Sequence, residues 1–104
     1  MYNKIYNTNI LEFNPKKKYD LILLCDILEH LKKPDAKTTI KKLSKYAKEL
    51  VITTPRRFNQ GEPYNGNPYE VHLSRLTKRF FSEFAPRVFL KIESMNFVII
   101  EPII

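Results

Sequence analysis

Four side chains in this sequence could do chemistry: Asp26, Glu29, His30 and, further along, His72. An imidazole changes charge near neutral pH, and a carboxylate beside it can orient it or share its proton. Asp26, Glu29 and His30 fall in the short string Cys25-Asp26-Ile27-Leu28-Glu29-His30-Leu31. Carboxylates and imidazoles also suit a divalent ion, but spacing alone does not assign one here, and no metal site is predicted. Plainer roles compete. His30 could be bonded to backbone in a turn, and His72 could anchor a long loop. Glu29 fits a brace at a helix entry better than a catalyst.

The elements that would hold these groups can be read from apolar patterning. Leu21-Ile22-Leu23-Leu24-Cys25 is a continuous apolar run between Asp20 and Asp26. Such a run predicts a strand buried on both faces of a parallel sheet. Ligands in such sheets bind just beyond the carboxyl ends of the strands, which is where Asp26, Glu29 and His30 fall. Lys32-Lys33-Pro34-Asp35 is a helix-entry signal. Ala36, Ile40, Leu43 and Ala47 then recur at helical spacing, predicting a helix that ends near Lys48. Leu50-Val51-Ile52-Thr53 is β-branched and predicts a second buried strand closed by Pro55. Strand, helix and strand form a βαβ unit with parallel strands. Residues 55–72 hold both glycines and read as a long loop of the kind that carries function. Its aromatics, Phe58, Tyr64 and Tyr69, argue against disorder. Ser74–Phe84 predicts a second helix, with Leu76, Phe80 and Phe84 on one stripe. Phe89–Ile103 predicts two strands turning at Met95-Asn96, and a short strand is expected at Lys4–Asn7.

Composition bounds the rest. The chain of 104 residues is enough for one domain, residues 1–104. With 43% hydrophobic residues it is globular. No apolar run nears the roughly 20 residues of a membrane span, and the amino terminus lacks an apolar signal core. A cytoplasmic chain is expected. Cys25, the one cysteine, excludes an internal disulfide and a cysteine-based zinc cluster, and its place in the apolar run predicts a buried thiol. The net charge of +7 favours anionic partners. Lys37, Lys41, Lys45 and Lys48 would form one helical stripe, for which a solvated face outweighs a nucleic-acid patch.

The string from Asp20 to Leu31 resembles the fourth-strand motif of class I S-adenosylmethionine-dependent methyltransferases, in which an acid, two apolar residues and Glu-His-Leu follow a strand. Here these are Asp26, Ile27, Leu28, Glu29, His30 and Leu31. Val51-Ile52-Thr53-Thr54-Pro55 is similar to the family's fifth strand, which often ends in Thr-Pro. Asn59-Gln60-Gly61-Glu62-Pro63-Tyr64-Asn65-Gly66-Asn67-Pro68-Tyr69, with His72 and Ser74, resembles the loop after that strand in one subgroup, which commonly has Trp where this chain has Leu76. The three matches follow in family order over roughly residues 19–84. The glycine-rich first loop of the family is missing, since Gly61 and Gly66 are the only glycines and no Gly-x-Gly occurs.

The resemblance therefore implies the carboxyl-terminal half of a methyltransferase: an α/β fold with a partial Rossmann-like sheet, strands 3 to 7 of the family order, and helices on its faces. It implies S-adenosylmethionine as cofactor, with Asn9, Ile10, Cys25, Asp26 and Ile27 around it. It implies that Asn59, Tyr64, Asn67, Tyr69 and His72 face an unknown acceptor, with His30, His72 and Glu29 as the catalytic candidates; Arg56, directly after the Thr-Pro turn, could clamp an acidic acceptor or be simply solvated. The family sheet order is 3-2-1-4-5-7-6. Without strands 1 and 2, Tyr19–Cys25 becomes an edge, and a long apolar edge is an association hazard. Either the amino-terminal segment pairs beside it, or a second copy or another chain does. A catalytically inactive module that pairs with another chain is the alternative reading.

Overall fold

A computed structural model describes residues 8–55 and 74–101. Its elements are β1 (Tyr19–Cys25), α1 (Lys33–Ser44), β2 (Ala47–Pro55), α2 (Lys78–Phe81), β3 (Val88–Ile92) and β4 (Met95–Ile100), with single 3-10 turns at Leu28–His30 and Ser82–Phe84. The four strands form one sheet in the order β1-β2-β4-β3. β1 and β2 are parallel and joined through α1, as the βαβ reading predicts. β4 returns antiparallel to β2, and β3 pairs antiparallel with β4.

Side chains alternate across a strand, so each strand offers one set to each face. Leu24, Leu50, Ile52, Val98 and Ile100 share one face with the apolar stripe of α1, Ala36, Ile40 and Leu43, and with Leu76 and Phe81. Phe81 is fully buried, and its ring meets that of Phe80 edge-on at a centroid distance of 4.9 Å. Pro34 in the first turn suits the start of α1, because its missing N–H would have no helical partner there.

Several expectations are corrected. β1 is not buried on both faces: Leu21 is 48% exposed, Leu23 is 56% exposed, and Cys25 is exposed, so the buried-thiol expectation fails with it. These three residues point to the sheet face that no described helix covers. α1 stops at Ser44 rather than near Lys48, and Ala47 is the first residue of β2. Ala47 suited a helical stripe because both assignments bury it, and periodicity cannot separate them at a single residue. The β3–β4 turn is at Glu93-Ser94, not Met95-Asn96, and Glu93 takes the left-handed φ of 52° that the tight reversal requires. The helix expected over Ser74–Phe84 begins only at Lys78, after an extended stretch. Thr77 caps it by accepting a hydrogen bond from the Phe80 N–H at 3.4 Å.

β1 is an edge strand, as the missing glycine-rich half implied. Among the described residues no strand pairs with its outer side. The described part of the amino-terminal segment forms a turn instead, with the Glu12 and Phe13 N–H groups donating to the Asn9 carbonyl. Lys42 Nζ ties that turn to α1 through the Ile10 and Leu11 carbonyls, each at 3.1 Å. Lys4–Asn7, where a strand was expected, lies outside the described residues. No described helix is long and apolar enough to cross a membrane.

Candidate functional site

The carboxyl ends of β1 and β2 form a rim. β1 leaves the sheet at Asp26, whose N–H donates to the Thr53 carbonyl at 3.0 Å while its φ swings to 56°. That left-handed conformation costs a β-carbon residue energy, although aspartate tolerates it better than most. The swing turns the chain into the 3-10 turn that holds Glu29 and His30.

Glu29 is buried at 2% exposure. Its Oε2 is 3.5 Å from His30 Nε2, and its Oε1 has no hydrogen-bond partner among the described residues. Burial lifts its carboxyl above the ordinary carboxylate range. Asp26 adds to that, while a backbone hydrogen bond and His30 pull the other way. The result is a carboxyl that holds its proton more firmly than usual, beside a partly exposed imidazole. Such a pair can orient the imidazole or pass a proton to it.

A second element closes the rim. The Ser74 N–H donates to the Glu29 carbonyl at 3.1 Å, and its hydroxyl donates to the Leu31 carbonyl. Pro55 and Ser74, which flank residues 56–73, thus both belong to this rim. Behind them, Asn96 Nδ2 donates to the Leu76 carbonyl at 3.1 Å and to Thr54 Oγ1 at 3.4 Å. Asn96 and Thr54 are both buried, and this polar link joins β4, β2 and the approach to α2. Ser74 belongs to the loop motif of the resemblance, but neither its bonds to the rim nor the Asn96 link is legible in the sequence. An amide inside the apolar run Met95–Ile100 is the available signal for Asn96, at a position where the sequence predicts a turn.

The expected cofactor residues fall in two places. Ile10 and Ile27 line one apolar groove of about 340 Å³ beside β1, with Ile22 and Leu43 behind them. Asn9 shapes the neighbouring turn, its Oδ1 accepting from the Leu11 N–H at 2.9 Å. Cys25 and Asp26 lie at the end of β1, both exposed. Of the catalytic candidates, Glu29 and His30 sit together. His72 and the acceptor candidates Arg56, Asn59, Tyr64, Asn67 and Tyr69 lie outside the described residues. Among the described residues, no cluster of three His, Cys, Asp or Glu side chains could hold a metal ion.

No protein-family model matches the sequence, and no curated protein matches it. Among solved structures, the chain is similar to an rRNA methylase from Escherichia coli, with a TM-score of 0.59 at 17% identity. The likeness is one of fold over the matched stretch. The match covers 92% of this chain and 36% of the methylase, so the chain spans about a third of that protein's length.

Proposed function

We propose that the chain is the carboxyl-terminal part of an S-adenosylmethionine-dependent class I methyltransferase, supplying one wall of the cofactor site and the acceptor-facing side. The fold shared with a solved methylase carries this reading. The strand order β1-β2-β4-β3 supports it, because it matches the 4-5-7-6 end of the family sheet. So does the position of the Glu29–His30 pair, directly beyond the carboxyl end of β1, where α/β sheets bind ligands.

The residues present fit half of the cofactor. The apolar groove at Ile10 and Ile27 suits a flat adenine, and Asp26 at the strand end suits a polar or cationic part of the ligand. The bound cofactor supplies a methyl group on a sulfonium. What this chain adds is position: holding an acceptor in line with that methyl supplies much of the acceleration. His30, oriented by Glu29, accepts a proton from an acceptor that must lose one, and His72 is the second candidate for that role. Arg56, Asn59, Tyr64, Asn67 and Tyr69 are assigned to the acceptor. The glycine-rich loop that approaches the cofactor in this family has no counterpart in the sequence, so the isolated chain binds S-adenosylmethionine weakly. Calorimetric titration tests this, and micromolar affinity of the isolated monomer would contradict the half-site.

The outer edge of β1, unpaired among the described residues, favours a second reading: a non-catalytic methyltransferase-like module that pairs through this edge with another copy or another chain. A stable complex that transfers no methyl group to any acceptor would favour it.

A further inference from the structure

The lysines of α1 read as a solvated stripe in the sequence, but the fold brings cations from two other elements to the same side. An open groove of about 670 Å³ lies between the first turns of α1 and the segment around α2. Lys33 and Lys37 line it from α1 and Arg79 from α2, together with Phe80 and the carboxylate of Glu83. A smaller hollow of about 100 Å³ adjoins it, sharing Thr77, and is lined by Arg75, Lys78 and Lys91. Six cations from α1, the α2 segment and β3 therefore form one band.

Its charge is largely unspent. Lys37 is paired with Glu83 at 2.8 Å. Lys33, Arg75, Lys78, Arg79 and Lys91 have no carboxylate partner among the described residues. Holding five cations close together with no carboxylate partner among the described residues costs self-repulsion that a polyanion relieves. The band also has a direction. Arg75 follows Ser74, which is hydrogen-bonded to the Glu29 and Leu31 carbonyls, so one end of the band abuts the Glu29–His30 rim.

We propose that this band binds a single strand of nucleic acid through its phosphates and leads it to the rim. A flexible strand can follow a path that turns from α1 across α2 to β3, whereas a rigid duplex presents its phosphates along a fixed curve. Delivery to the rim rests on the methyltransferase reading; binding does not.

Fluorescence anisotropy with a labelled 12-nucleotide oligouridylate tests the proposal, with no cofactor present. Binding should weaken as salt rises, with a log–log slope of about −0.7 for each cation engaged. The double variant Lys33→Glu with Arg79→Glu should bind at least tenfold more weakly. Arg75→Glu with Lys78→Glu should do the same, and these exposed positions leave the thermal melt in place. Lys16→Glu with Lys18→Glu changes the net charge equally at a site away from the band and should cost less than twofold. Equal losses in all three variants would overturn the proposal, as would salt-independent binding, no binding at 50 mM salt, or tighter binding of a duplex of the same length. Because cofactor takes no part, the outcome is separate from that of the cofactor titration, and either reading can fail alone.

Discussion

Two rows of side chains, one residue apart along every strand, meet opposite fates. Leu24, Ile52, Val98 and Phe89 are cross-strand neighbours on the helix-covered face, and the first three are at most 2% exposed. Leu23, Val51, Ile99 and Val88 are the matching neighbours on the other face, where Leu23 is 56% exposed. Leu90 at 48% and Ile92 at 54% extend that open surface. The two rows are equally apolar, so composition cannot tell them apart. The difference lies in what packs on them: α1 and α2 cover the first, and no described element covers the second. A strand that is apolar on both faces belongs to a sheet covered on both faces. The open row thus describes surroundings that the described part of this chain does not itself supply.

The largest effect should come from the covered side. Phe81→Ala should destabilise the fold by about 3–5 kcal/mol, since it empties a fully buried aromatic site. In a domain of ordinary stability of about 5–15 kcal/mol that leaves little margin, and the urea midpoint should fall steeply. A midpoint near that of the parent chain would mean the two faces are not energetically distinct.

An intermediate effect, read through pH, is expected at the rim. The folded-state pKa of Glu29 is raised by burial, so its protonated form is favoured in the folded chain. Its contribution to stability is therefore complete below the unfolded-state carboxylate pKa and is lost as pH rises through the elevated folded value. Glu29→Gln should remove that part of the pH dependence and make the chain relatively more stable at neutral pH. Denaturant midpoints measured across the acid range check the sign, and a variant whose stability follows pH as the parent does would refute the buried carboxyl as its source.

The smallest effect on stability should come from the open side. Leu23→Lys combined with Leu90→Lys should shift stability by no more than about 0.5 kcal/mol per site while reducing self-association in ultracentrifugation. A loss comparable to that of Phe81→Ala would show that the open face is covered in solution by the chain itself.

Much of this was legible in the sequence. The apolar run Leu21–Cys25, the stripe Ala36, Ile40 and Leu43, and the β-branched Val51-Ile52 fixed β1, α1 and β2, because burial writes periodicity into sequence. The same logic misled wherever burial depends on a neighbouring layer. Cys25 looked buried because its strand is apolar, and Ala47 looked helical because a small apolar residue fits either element. The Glu29–His30 pair was found by residue type. Ser74 belongs to the loop motif, but its bond to Leu31, 43 residues away, has no local signature, and neither has that of Asn96 to Thr54, 42 residues away. The cation band was invisible for the same reason: Lys33, Arg79 and Lys91 are neighbours only after folding.

The proposed ligand site is the rim beyond β1, open among the described residues on the side where class I methyltransferases carry a glycine-rich unit. Titration of the isotopically labelled chain with S-adenosylmethionine, followed by amide chemical shifts, tests it most directly. Weak, millimolar shifts confined to Asn9, Ile10 and Cys25–Ile27 are the predicted result. Saturation at micromolar cofactor, or shifts centred on α2 and β3 with the rim silent, would contradict it.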